Sequence, residues 1–422
     1  MDRGKIALYC ARVIRVVGII VCALFLPWFF LVYNDSKQQK SLMPSAQFKL
    51  GIENLTSSFI KNICNSGKKE SIVGLITDKT GIDQNGTYSL ERLLQSGVPI
   101  RKLFCPDIQL HSMETLQKNN CSLVHLSEQS PLHATLERHI KDLDVLFFDS
   151  QDGGVCYYQT TTLLFEVLKI AALYDKVIVV LDRPNAQGPS IEGSLGGVSG
   201  QALAIPLRYG MTIGELARYF NISILKKAAR LFVVPMQGYQ RIMSNASINP
   251  ATSTLSTHID VHQSNNLLSI LAEVHPFNMG QETEHAYHCI ALPEKMKLSK
   301  QMWHELQFIL KESELDSVIF RFYSRSERAH MNGLRLKPLS HKALSSFNTL
   351  ITVLRFFKEK GLKMTFTDLF DKALGTDRIR AYLEDRIGWD QLETDINKGL
   401  KYFYAHAQRA FIYKPFPTIN MM

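Results

Sequence analysis

Five short apolar runs, at residues 71–77, 100–105, 145–149, 177–182 and 231–235, alternate in the first half of the chain with helical stretches. One helix is predicted to begin at Ser89, and others to cover 161–173 and 212–219. The runs are strand-length and mainly apolar, the pattern of strands buried on both faces. Parallel strands need a crossover between them, and a helix of this length supplies it while covering the sheet. The fold class is therefore α/β, with a parallel sheet covered by helices.

Three of the predicted strands end in polar loops: TDKTG at 77–81, DSQDGG at 149–154 and LDRPN at 181–185. In open α/β sheets ligands bind beyond the carboxyl ends of the strands, so these loops are expected to converge on one cleft. No G-x-G-x-x-G follows a strand, and GSLGGVSG at 193–200 lacks the strand context that a dinucleotide site needs. Seven cysteines are scattered without C-x-x-C spacing, which argues against a zinc site. The expectation is a site without cofactor or metal. The thiols are read as free and buried, with one bridged pair as the alternative in an oxidising compartment.

At 422 residues the chain exceeds one typical domain. A Ser/Thr/Asn-rich stretch at 244–266 reads as a junction. Beyond it, strands are predicted at 288–292 and 316–321, with helices at 299–311, 344–360, 364–374 and 389–405. The expected division is an α/β domain over 47–245 and a second, smaller α/β domain over 260–422.

Four basic residues, Arg3, Lys5, Arg12 and Arg15, precede eighteen uncharged residues at 16–33, long enough to cross a hydrocarbon core. The run ends in bulky Phe, Leu, Val and Tyr rather than small residues, which favours an uncleaved transmembrane anchor within 1–40 over a cleaved signal. The basic flank then stays cytoplasmic and 41–422 lies on the extracytoplasmic side, or is secreted if the segment is cut. Residues 1–40 hold six Lys or Arg against two Asp and so carry +4 of the net charge of +9. The remaining +5, spread without a dense basic run, gives no reason to expect nucleic acid as a partner.

The segments GLITDKTGIDQNG (74–86), LFCPD (103–107), LDVLFFDSQDGG (143–154), VVLDRPNAQGPSIEG (179–193) and IPLRYGMTIGELARYFN (205–221) resemble, in order and spacing, the bacterial exo-β-N-acetylmuramidase (NamZ-like) family. GTDRIRAYLEDRIGWDQL (375–392) and FIYKPF (411–416) resemble that family's ending. The resemblance implies a Rossmann-like first domain, a smaller α/β second domain and a cleft between them. It implies an activity as well: exo-acting release of terminal N-acetylmuramic acid, or a related amino sugar, from peptidoglycan fragments. A non-catalytic envelope protein that binds muropeptides or a protein partner is the alternative.

Glycoside cleavage needs a carboxylic acid to protonate the leaving oxygen and a second group to activate water or attack. The resemblance places the family's catalytic Glu at Asp107, one methylene shorter, without the neighbouring His and Gly. Its second acidic motif falls on Asp149, Gln151 and Asp152, with Cys156 where the family carries Arg. The family's E-G-T-N-L-S-E-G-R-G region falls on 273–282, where Glu273 survives while Pro276, Met279 and Gln281 replace its Asn, second Glu and Arg. The candidate catalytic residues are thus Asp107, with Glu273 or Asp152 in support. Asp149, Gln151, Asp182, Arg183, Asn185, Glu192 and Arg208 are candidate substrate-binding residues, Arg183 as a partner for a ligand carboxylate. For Asp152 a helix-capping role stands beside the functional one, and for Arg208 and the Asp-Arg-Pro-Asn turn a loop-organising role does. Tyr157 and Tyr158 are read either as a sugar-stacking face or as the core-facing start of a helix.

Overall fold

A computed structural model describes residues 48–64, 71–106, 113–127, 131–156, 159–198, 201–241, 269–281, 283, 286–313, 315–338 and 346–422. These belong to one unit running from Ala46 to Met422. The apolar run at 16–33 and the junction at 244–266 lie outside the described residues. Among the described residues no helix is long and apolar enough to cross a membrane.

The first half builds β1 (Val73–Thr77), β2 (Ile100–Cys105), β3 (Ser122–His125), β4 (Val145–Asp149), β5 (Val177–Leu181), the hairpin β6 (Ser190–Val198) and β7 (Gln201–Tyr209), and β8 (Arg230–Val234). Helices α1 (Ser57–Cys64), α2 (Ser89–Gln95), α3 (Met113–Lys118), α4 (Leu132–Ile140), α5 (Gln159–Leu173) and α6 (Ile213–Tyr219) accompany them. Six strands form one parallel sheet in the order β3-β2-β1-β4-β5-β8. The chain starts in the middle, runs to one edge and returns to build the other, so the order reverses between β1 and β4.

Successive strand side chains point to opposite faces, and this period of two divides the core. Val73, Leu75, Leu103, Val145, Phe147 and Val179 pack with α1, α2 and α3 on one face. Ile76, Phe104, Leu146, Phe148, Ile178 and Val180 pack with α4, α5 and α6 on the other. The second cluster runs on without a break into the C-terminal half, through Phe277, Leu292, Leu334, Leu350 and Phe403.

That half contains β9 (Val274–His275), β10 (Cys289–Pro293), β11 (Leu315–Ser324), β12 (Ala329–Pro338), β13 (Thr365–Phe366) and β14 (Thr418–Ile419). Its helices are α7 (Lys300–Glu312), α8 (Ser346–Glu359), α9 (Asp368–Leu374), α10 (Arg378–Leu383) and α11 (Trp389–Ala407). Strands β10, β12 and β11 form an antiparallel sheet, and β14 returns to pair in parallel with β6.

The five predicted strands and the long helices of the first half are present. Three differences have local causes. The α3-β3-α4 segment was not anticipated, because β3 is four residues with one buried position. The glycine-rich 193–200 stretch, expected to lack strand context, lies mostly within β6, where Gly193 (φ +91°) and Gly196 admit Phe347 and Cys156 against the backbone. The helix predicted over 364–374 begins only at Asp368, because Thr365 and Phe366 pair with His275 and Val274 and Thr367 caps the helix.

Candidate functional site

Neighbouring parallel strands bring their carboxyl ends together, and here Thr77 of β1 stands opposite Asp149 of β4. The loops that follow, 78–82 and 150–154, therefore meet at the point where the strand order reverses, the position at which open α/β sheets bind ligands.

Asp149 is fully buried. Arg183 donates to both of its oxygens, from Nε at 2.5 Å and Nη2 at 2.9 Å, and Ser89 Oγ donates to Oδ2. Arg183 is 1% exposed, donates again to the Ile82 carbonyl at 2.9 Å, and has no hydrogen-bond partner at Nη1 among the described residues. Two parallel N–H···O bonds fix this pair geometrically as well as electrostatically.

Asp78 is half-buried. Its Oδ1 accepts from the Thr80 amide (2.7 Å) and hydroxyl, and its Oδ2 from Ser150 Oγ (2.5 Å). The Gln151 amide donates to Thr80 Oγ1 at 2.8 Å, and Gln151 Nε2 donates to the Pro184 carbonyl at 2.5 Å. Loops after β1, β4 and β5 are thus sewn together by short polar side chains.

Asp152 is 3% exposed and accepts from the Gly154 amide at 2.8 Å and Thr161 Oγ1 at 3.3 Å. Neither donor is charged, so burial is uncompensated and pushes the carboxyl up to about 7, with the Asp78 charge adding to the rise. Thr161 lies in the first turn of α5, so Asp152 bonds that helix through a side-chain hydroxyl and not through the free amides that the capping reading invokes.

The remaining candidates are engaged by the protein itself. Asp182 accepts from Tyr413 Oη (2.6 Å), Thr212 Oγ1 (2.9 Å) and the amides of Gly214 (2.7 Å) and Arg183 (2.9 Å), and burial pushes it up to about 7. Asn185 braces its own turn, accepting from the Gln187 amide and donating to the Met211 carbonyl, both at 2.7 Å. Glu192 and Arg208 form a fully buried ion pair at 2.5 Å across the β6–β7 hairpin. Glu273 accepts from Thr367 Oγ1, the residue that caps α9, and so holds β9 against β13. Cys156 packs against Gly196 and the Ala373 carbonyl, with burial pushing its thiol up to about 12.

Asp107, Tyr157 and Tyr158 lie outside the described residues. Phe277 stacks edge-on against Phe357, and it and Met279 belong to the main core. Sequence reasoning passed over Asp78, Thr80, Ser89, Ser150 and Thr161. The TDKTG loop is legible as a strand-end loop, but only the reversal of strand order selects Asp78 within it.

Two family models match the chain: "Exo-beta-N-acetylmuramidase NamZ, N-terminal" over residues 73–259 and "Exo-beta-N-acetylmuramidase NamZ, C-terminal" over 269–413. The peptidoglycan beta-N-acetylmuramidase NamZ of Bacillus subtilis (strain 168) is 24% identical over 404 residues, covering 90% of this chain and 94% of that protein. Two crystal structures of DUF1343 family proteins from Bacteroides fragilis NCTC 9343 share the fold. One superposes with a TM-score of 0.71 at 22% identity, covering 88% of this chain and 100% of the other. The second gives a TM-score of 0.62 at 19% identity, covering 87% and 99%.

Proposed function

The chain belongs to the exo-beta-N-acetylmuramidase NamZ family, and on that premise we propose that it is an exo-acting glycoside hydrolase. Its substrates are peptidoglycan fragments, from whose ends it releases N-acetylmuramic acid or a related amino sugar. The observation that carries the reading is Asp152, a buried carboxyl with no cation paired to it among the described residues, in a loop at the switch point. A proton donor for a leaving sugar oxygen has to hold its proton near neutral pH, and a carboxyl at about 7 does so. Asp107, at the position of the family's acid, supplies the second carboxyl group. Gln151, Asp78 and Thr80, half-buried on the same loops, present polar atoms to sugar hydroxyls. Asp149 and Arg183 form the buried floor that holds these loops in place.

The test is release of sugar from a chromogenic muramic acid glycoside by residues 46–422. Turnover that disappears in both Asp107→Asn and Asp152→Asn supports the reading. No release after prolonged incubation with several amino sugar glycosides overturns it.

A second reading is a non-catalytic envelope protein that binds muropeptides, favoured by the region 273–281. Glu273 is spent on Thr367, and Phe277 and Met279 face the core. Calorimetric titration showing muropeptide binding without turnover selects it. In either case the run at 16–33 is proposed as a membrane anchor with 41–422 outside the cytoplasm. Retention of the full chain in carbonate-washed membranes tests that, and its recovery in the soluble fraction contradicts it.

A further inference from the structure

Four buried carboxylates around the first-half core each have an arginine: Asp83 with Arg92, Asp149 with Arg183, Glu192 with Arg208, and Glu215 with Arg241. Asp182 lacks a cation but collects four hydrogen bonds. Among the described residues Asp152 has no arginine or lysine partner and accepts only from uncharged donors, the amides of Gly153 and Gly154 and Thr161 Oγ1. Of the charged groups that bear on it, Asp78 is another acid. The Arg183 guanidinium bonds Asp149 and the Ile82 carbonyl through Nε and Nη2, and its Nη1 has no hydrogen-bond partner among the described residues. Cys156, two residues beyond the Gly154 turn, is a neutral thiol at physiological pH.

Asp78 is tied to the loop that carries Asp152 by two routes. It accepts from Ser150 at the loop's start, and through Thr80 it reaches the Gln151 amide, immediately before Asp152. We propose that Asp78 is a positioning residue of the cleft: it holds the 150–152 loop in register with the 78–80 loop, and its charge acts on the Asp152 carboxyl that this loop carries. The two acids then have divided roles. Asp78 is surrounded by hydroxyl and amide donors, whereas Asp152 is buried and pushed up to about 7. The catalytic part of this assignment rests on the hydrolase reading; the coupling between the two acids does not.

The experiment therefore follows the Asp152 carboxyl directly, by carbon-13 NMR titration of aspartate-labelled residues 46–422, with Asp152→Asn to identify its signal. In Asp78→Asn, which keeps the side chain's shape and removes its charge, the Asp152 midpoint is expected to fall by about half a pH unit or more. Asp78→Glu, which restores the charge, is expected to bring it back toward the wild-type value. An unchanged midpoint in Asp78→Asn overturns the proposal, as does an Asp78→Glu protein that titrates like Asp78→Asn. Where turnover is measurable, the basic limb of its pH profile moves with the NMR midpoint. A midpoint that moves in a protein without turnover sustains the coupling and removes only the hydrolase reading.

Discussion

Residues carrying charge decide most about the strand-end region, because each is buried and its partner fixes what it can do. Removing one member of a buried ion pair leaves the other desolvated and unpaired, at a cost of about 3–5 kcal/mol. Arg183→Leu, which strands Asp149, is therefore expected to lower unfolding free energy in urea by about that amount. A loss of under 1 kcal/mol would mean that Asp149 accepts a proton or water freely. For Asp152 the folded carboxyl sits at about 7, above its value of 3.8 in the unfolded chain. Between those values the folded state binds more protons, so this group's contribution to stability falls as pH rises from about 4 to 7. Wild type is expected to lose melting temperature between pH 5 and pH 8 through this group, and Asp152→Asn, which cannot ionise, to flatten that decline. Parallel curves for the two proteins would contradict the assignment. The acids of the DSQDGG and LDRPN loops were legible in the sequence as strand-end residues. Their partners were not, because Ser89 and Tyr413 reach Asp149 and Asp182 across 60 and 231 positions of chain.

Elements were legible in proportion to their length and periodicity. Strands β1, β4 and β5 announce themselves because both faces are buried and each reads as an apolar run, and β2 and β8 do so through their apolar portions although Arg101, Lys102 and Arg230 interrupt or open them. β3, the β6–β7 hairpin and β13 do not, since each forms only because something packs onto it. The clearest case is the contact between β6 and the end of α9. Gly375 closes that helix in the left-handed region (φ +68°), and a Cβ there would lie within 3 Å of the Gly196 and Leu195 backbone. Gly361 has a similar φ of +77° and nothing within 4 Å. Gly361→Ala is expected to cost about 1 kcal/mol from backbone strain alone, and Gly375→Ala at least twice that, because main chain cannot move aside. Chemical denaturation of the two variants compares them directly; equal losses would show that the β6–α9 contact yields.

For the molecule as a whole, the two family models meet in a shared core rather than at a dry boundary. The main apolar cluster runs from Ile76 to Phe411, and the chain's end is clamped back onto the first half. Glu215 caps α6 through Thr212, as its T-I-G-E spacing foretells. The same carboxylate accepts from Arg241 and from the amides of Ile412 and Tyr413, while Tyr413 Oη donates to Asp182. Residues 46–422 are therefore expected to unfold in one calorimetric transition, and two separated transitions would show independent halves. The sequence by itself determined the parallel α/β sheet, the loops at its carboxyl ends and the family, because apolar periodicity and local motifs are properties of neighbouring residues. Only the tertiary structure decided which of those loops' acids are paired with an arginine and which have uncharged partners alone among the described residues. That choice depends on where each buried charge finds a partner, and the partners lie on other strands, other helices and the far end of the chain.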